Sequence, residues 1–367
     1  MNIAISSIGI ANPPHRQSQT KVADFMASKL QLNSTENRRL KQVYAATGVE
    51  YRYSVLDDFN QPFDQTSFFP ASQDDEFPET LQRMKIYQQN ALPLATQAVQ
   101  NCLSYINLDK QQITHLITIS CTGMSAPGLD IAIVKHLGLS SATHRTAINF
   151  MGCYGAFNGI KMAHGICKAD PSAIVLLVSV ELCTIHFQKK RTVDSFVSSA
   201  LFADGCAAAI IQTNPAANKF LQLEHFHCDL IPQSDLEMTW DIGSQGFDII
   251  LSSYVPKLIG SGIAKFVQQL LAKAALQIDD ITHFAIHPGS KKILETCEVA
   301  LGISREDNRY SYEILRQYGN MSSATVLFIL KKILETVSSA DNKSNIFSCA
   351  FGPGLTLESM LLKVHHA

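Results

Sequence analysis

The chain alternates short, wholly apolar runs with longer stretches in which apolar and polar positions mix at helical spacing. Runs such as Ala173 to Val178 are far too short to span a bilayer and suit strands buried on both faces. Arg145 to Phe150 reads as another strand, and Ala156 to Ile166 as a helix. Met1 to Pro14 holds an apolar stretch that stops at Pro13-Pro14, with no basic n-region and no small-residue cleavage site. It is expected to be a strand rather than a signal peptide. Strands and helices alternate along the whole length, which predicts α/β architecture.

An internal echo sharpens this picture. Ile113-Thr114-His115 and Ile281-Thr282-His283 each lead into a strand, followed by a small-residue turn and a helical stretch. Those stretches end in His136-Leu137-Gly138-Leu139 and Ala300-Leu301-Gly302-Ile303. Next come Gly152-Cys153 and Gly319-Asn320, each opening an apolar helix, and then the strand-like runs Ala173 to Val180 and Asn345 to Ala350. His115 and His283 stand 168 positions apart, Cys153 and Asn320 stand 167 apart. Short strings match by chance, but the shared order of four elements favours duplication of one strand–helix unit. The expected division is residues 1–220 for a first half and 221–367 for a second. Residues 15–112 and 221–257 fall outside the repeat, the latter holding the only tryptophan, Trp240. Asp57 to Pro78 is irregular and carries Phe59, Phe63, Phe68, Phe69 and Phe77 among Asp, Gln and Pro, as expected of a surface loop pinned by its aromatics.

With 367 residues, 46% of them hydrophobic and 17% charged, the chain can bury a large core. A formal net charge of −2 gives no global electrostatic case for nucleic acid or membrane. Zinc-type Cys/His spacing and phosphate-binding glycine loops are missing. Nine cysteines, an odd number without paired spacing, fit reduced thiols in a cytoplasmic protein better than a disulfide framework.

Cys153 is the candidate centre of chemistry. A thiol at a helix start sits at the positive end of the helix dipole, which favours the nucleophilic thiolate. A lone cysteine in apolar surroundings is more often a small buried hydrophobe. Its candidate partners reverse that reading: His287 in His287-Pro288-Gly289, and Asn320, which the repeat makes the counterpart of Cys153. Equivalent helix starts in two packed halves can face one another, so one crevice can collect all three.

Five motifs occur in register: Met151-Gly152-Cys153-Tyr154-Gly155-Ala156, Ala200-Leu201-Phe202-Ala203-Asp204-Gly205, His287-Pro288-Gly289, Tyr318-Gly319-Asn320-Met321-Ser322-Ser323, and Phe351-Gly352-Pro353-Gly354-Leu355-Thr356-Leu357-Glu358. In this order the chain resembles the type III polyketide synthases, the chalcone synthase-like group of the thiolase superfamily, over about residues 1 to 364. The resemblance implies a duplicated thiolase-like α/β/α/β/α sandwich, normally a homodimer. It implies Cys153 as nucleophile with His287 and Asn320 completing a triad, and Phe202 guarding the cavity mouth. Cys121, Thr122, Cys183, His186, Ser322 and Pro353 fall at or near cavity positions, where altered residues would either change starter or chain-length choice or merely pack. Trp240 falls where plant members have glycine; it either shortens the cavity or points away as core. Arg38, Arg39 and Lys41, and also Lys291 and Lys292, are candidate coenzyme A contacts, with ordinary solvated helix charges as the alternative. Ala126 stands where the family has a methionine that crosses the dimer.

The implied reaction is iterative decarboxylative Claisen condensation of an acyl-CoA starter with malonyl-CoA, followed by cyclisation to a pyrone, resorcinol or related product. No metal or other cofactor enters that scheme. The alternative enzyme is a ketoacyl-ACP synthase of the third type, which condenses once and uses an acyl carrier protein. A non-catalytic scaffold member would be expected to lack part of the triad.

Overall fold

The computed structural model describes residues 2–72 and 75–366. Its first part runs β1 (Ile3–Ala11), β2 (His15–Ser18), α1 (Gln19–Lys29), α2 (Ser34–Ala46), β3 (Tyr51–Ser54) and α3 (Thr80–Leu103). Then follow β4 (His115–Ser120), α4 (Leu129–Leu137), β5 (His144–Asn149), α5 (Gly155–Ala169), β6 (Ile174–Leu182), α6 (Val193–Leu201) and β7 (Asp204–Thr213). The second part comprises β8 (Lys219–Leu230), β9 (Met238–Gly243), β10 (Gly246–Leu251), α7 (Val255–Ala272), β11 (Ile281–Ile286) and α8 (Lys291–Leu301). It closes with α9 (Arg309–Tyr318), α10 (Thr325–Thr336), β12 (Asn345–Gly352) and β13 (Thr356–His366).

Nine strands form one sheet in the order β11-β12-β13-β8-β1-β7-β6-β4-β5. On one side of the β1–β8 seam, β4 and β6 are parallel, β7 is antiparallel to β6, and β1 to β7. On the other side β11, β12, β13 and β8 repeat that pattern. β5, parallel to β4 at the sheet's end, has no counterpart beside β11. The seam itself is short, with Ala4 opposite Gln222 and Ile5 opposite Leu221.

The layers follow from which face of each strand is apolar. Both faces are, so helices cover both. Val175 and Leu177 of β6 point into a central core with Phe157 and Ile160 of α5 and Phe328 of α10. Leu176 and Val178 point the other way, into a core with Leu94 and Val99 of α3. In the second half Ile346 joins the central core, while Phe347 packs with Phe266 of α7 and Leu294 of α8. The result is α3 and α4, sheet half, α5 and α10, sheet half, α7 and α8: the thiolase-like α/β/α/β/α sandwich. Because α5 and α10 share the middle layer, their first residues meet.

The aromatic loop is anchored as expected. Phe59, Phe69 and Phe77 are buried, and Phe59 packs edge-on against Phe25 and Phe187. Gln73, Asp74 and the side chain of Phe63 lie outside the described residues. All nine cysteines are free. Among the described residues no helix is long and apolar enough to cross a membrane.

Candidate active site

Cys153 reaches the central layer through a backbone few sequences permit. After β5 the chain passes through Phe150 (φ 59°) and Gly152 (φ 70°), both left-handed, then a 3-10 turn, Gly152–Tyr154, that feeds α5. A β-carbon on Gly152 would lie 2.2 Å from Pro353 Cδ. Glycine there lets the cysteine turn sit directly on the Gly352-Pro353-Gly354 turn. The second half repeats the device: Gly319 (φ 71°) precedes Asn320, and Ser322 (φ 48°) opens a 3-10 turn that feeds α10.

The two helix starts bring Cys153 Sγ to 3.9 Å from the Asn320 amide. The Ser322 N–H donates to Asn320 Oδ1 at 2.8 Å, which leaves the Nδ2 hydrogens for the cavity. The Asn320 backbone is tied across the halves, its N–H donating to Leu201 carbonyl and its carbonyl accepting from Ala203 N–H, both at 2.9 Å. His287 follows β11, and its N–H donates to the Cys349 carbonyl at 2.8 Å. Its imidazole is buried and neither ring nitrogen has a protein partner.

Burial dominates the electrostatics. It pushes the Cys153 thiol up to about 12, hydrogen bonds from Ser322 and Asn320 pulling back and Glu181 adding to the rise. Burial also lowers His287 to about 3. Desolvation thus opposes the charged form of each group taken alone, so the charge favoured at the helix start needs a partner.

Cys153, His287 and Asn320 line one cavity of about 220 Å³, and Cys121, Thr122, Cys183, Phe202, Trp240, Ser322 and Pro353 line it with them. Trp240, on β9, contributes its indole to the wall and is held by an Nε1–H bond to the Cys121 carbonyl, 2.7 Å. His186 is corrected, since it does not line this cavity. Phe247 N–H donates to its Nδ1 (3.1 Å), so Nε2 carries the proton and donates to the Thr122 carbonyl (2.7 Å). Stacked on Phe247 at 4.1 Å and edge-on to Trp240, it braces the wall from behind, beside a smaller adjoining cavity. Arg38 and Arg39 are exposed on α2 and do not line the cavity, and Lys41 pairs with Asp24 at 2.7 Å. Lys291 and Lys292 open α8 directly after Gly289 and Ser290, which do line it.

Two charged groups escaped the sequence reading. Glu181 is fully buried behind Cys121. It accepts from Cys121 N–H and Thr122 Oγ1, both at 2.9 Å, and from Ser323 Oγ, and burial holds its carboxyl up at about 7. A signal existed: a lone carboxylate closing an apolar strand run. Arg52, equally buried, donates to the Ser199 and Phe202 carbonyls. Nothing in Tyr51-Arg52-Tyr53 marks it, because its partners are backbone atoms far along the chain.

Two pseudo-symmetric halves whose central helices meet at a Cys–His–Asn pocket define the thiolase class of fold. Residues 2–215 match the family described as chalcone and stilbene synthases, N-terminal domain, and residues 222–365 match its C-terminal domain. The chain belongs to this family, the type III polyketide synthases, which are acyltransferases. It is 32% identical over 364 residues to the alpha-pyrone synthesis polyketide synthase-like Pks18 of Mycobacterium tuberculosis, covering 98% of this chain and 91% of that one. A putative chalcone synthase of Bacillus subtilis is 31% identical over 369 residues, covering 97% of each. Among solved structures, the C-terminal type III polyketide synthase domain of Steely1 from Dictyostelium superposes with a TM-score of 0.92 at 29% identity, covering 100% of both chains. PKS-I of the brown alga Ectocarpus siliculosus gives 0.92 at 28%, covering 99% of this chain and 98% of that one.

Proposed function

We propose that Cys153 carries the acyl group, that His287 activates it, and that His287 and Asn320 together serve the condensation. The observation that carries this reading is the Asn320 amide 3.9 Å from Cys153 Sγ in an apolar cavity that also holds the partnerless imidazole of His287. Moving the thiol proton to the imidazole creates two opposite charges together, which a dry pocket tolerates far better than either alone. The thiolate attacks the acyl-CoA carbonyl, the thioester transfers to Sγ, and coenzyme A leaves with the proton.

Malonyl-CoA then loses CO2, and the electrons of the broken C–C bond become an enolate. Its oxyanion accepts from Asn320 Nδ2–H and an imidazole N–H, and losing one such donor costs about 2.7–4 kcal/mol of barrier. The enolate carbon attacks the Cys153 thioester, the C–S bond breaks, and thiolate returns with a chain two carbons longer on coenzyme A. Reloading onto Cys153 allows another round, and the finished chain cyclises to a pyrone, resorcinol or related product. Apolar walls, including Phe202, keep water from the enolate.

The proposed assembly is a homodimer through β5. That strand is an open sheet edge, with exposed Met124, Met151 and Met162 in the segments around it. The proposed location is the cytoplasm, where the nine free thiols stay reduced. Lys291 and Lys292 are proposed to meet coenzyme A phosphates, a reading supported by their position directly after the cavity-lining Gly289 and Ser290, with Lys291 also 3.7 Å from Glu295.

The test is incubation with malonyl-CoA and a panel of acyl-CoAs in the absence of carrier protein, with products read by mass spectrometry. Cyclised products extended two or more times are expected. A strict carrier-protein requirement with a single two-carbon extension would instead place the chain with the single-condensation enzymes.

A further inference from the structure

Arg52 is 1% exposed and lies where the two halves of the site join. Its Nη1 donates to the carbonyls of Ser199 and Phe202, the latter at 2.8 Å. Phe202 is also the residue that pairs with Asn320 in an isolated parallel bridge. Asn320 N–H donates to Leu201 carbonyl and Asn320 carbonyl accepts from Ala203 N–H, so the bridge straddles the carbonyl that Arg52 grips. Gly319, immediately before Asn320, sits close enough that an added β-carbon would be 3.5 Å from Arg52 Cβ. The guanidinium thus holds the end of α6 and the cavity-lining Phe202, while the Arg52 Cβ lies beside the approach to Asn320.

Tyr44 and the buried Asp204 favour the charged guanidinium against its desolvation, but its hydrogen bonding stays incomplete. Arg52 Nε and Nη2 are buried without a protein hydrogen-bond partner, and the group is packed over the rings of Tyr44 and Phe187 at 5.6 and 5.7 Å. An apolar side chain of similar length would avoid desolvating a cation, at the cost of the positive charge that faces the buried Asp204. What methionine could not do is hold the Ser199 and Phe202 carbonyls at the end of α6 together.

We propose that Arg52 is the positioning residue that fixes the Leu201–Ala203 segment, and through its backbone bridge sets the Asn320 amide relative to Cys153. The proposal rests on the reading of Asn320 as the enolate's donor. Its effect should therefore fall on decarboxylation and condensation, which use Asn320, and not on loading of Cys153, which does not need it.

The experiment is a double-mutant cycle with Arg52→Met and Asn320→Ala, read as acyl loading by intact-protein mass and as kcat for malonyl-CoA decarboxylation. Arg52→Met is expected to load within about twofold of the parent while decarboxylation kcat falls about tenfold or more with KM little changed. In the Asn320→Ala background the same change should cost less than about twofold, because the positioned group is already gone. Arg52→Lys, which keeps a cationic donor without the planar fork, is expected between the parent and Arg52→Met. Additive losses in the cycle, or a parallel fall in loading and decarboxylation, would overturn the proposal. If Arg52→Met does not fold, the cycle is run with Arg52→Lys, and additive losses there overturn it equally. Should Asn320→Ala alone retain decarboxylation, the reading of Asn320 fails first, and that outcome is distinct from failure of Arg52 as its support.

Discussion

At Cys153 and His287 the cost of isolated charge decides the chemistry. Burial pushes the thiol up to about 12 and the imidazole down to about 3, so neither ionises alone near neutrality. On the proposed mechanism, proton transfer between them leaves the net charge of the pocket unchanged, so His287 is the group expected to make the thiol reactive. His287→Ala is expected to slow alkylation of Cys153 by iodoacetamide at pH 7.5 about tenfold or more, since a higher thiol pKa leaves less thiolate. An unchanged alkylation rate would contradict the pairing. Glu181 supplies a second residue-level test. Burial raises its carboxyl from 4.5 to about 7, so across that window the unfolded chain has released a proton that the folded chain keeps. Stability therefore falls as pH rises from about 4.5 to 7, on the order of 3 kcal/mol for this one group. Glu181→Gln stays neutral throughout. The melting temperature of the parent should drop relative to Glu181→Gln between pH 5 and 8, and a constant gap would argue against the raised carboxyl.

Two turns and one hairpin shape the cavity. The cysteine turn works only because Gly152 is left-handed and lacks a β-carbon against Pro353. Gly152→Ala combines left-handed strain, about 1–2 kcal/mol, with overpacking of about 1–3 kcal/mol. A loss of roughly 2–5 kcal/mol in urea unfolding is expected, together with slower acyl loading. The β9–β10 hairpin was opaque in the sequence, where Trp240 could equally have been core or wall. Its indole bond to Cys121 and the His186–Phe247 stack behind it make it wall. Trp240→Ala is expected to raise kcat/KM for longer acyl-CoAs relative to shorter ones by several-fold, whereas an unaltered preference would mean the indole does not limit the chain.

At the scale of the whole molecule the sheet ends in two unpaired edges, β11, which is largely buried, and β5, which is exposed. Ala147 is exposed in the middle of that edge. The parent is expected to sediment as a dimer and Ala147→Lys to shift toward monomer, since a charge on an edge strand opposes edge-to-edge pairing. A monomeric parent would remove β5 as the proposed interface. Much of this architecture was legible in the sequence because it depends on local pattern. Apolar runs such as Ala173 to Val178 are buried on both faces, so they report strands directly. The matched offsets of His115 with His283 and of Cys153 with Asn320 report the duplication, since equivalent elements keep equivalent spacing. Residue types alone also placed the thiol at a helix start. Tertiary structure decided the rest, because those properties arise between segments distant in sequence. The 3.9 Å approach of Cys153 to Asn320 depends on how the two halves pack. The neutrality of the thiol depends on how much water that packing removes. Whether His186 faces substrate or backbone, and whether Arg52 and Glu181 matter at all, turns on hydrogen bonds to atoms that no pattern of side chains along the chain encodes.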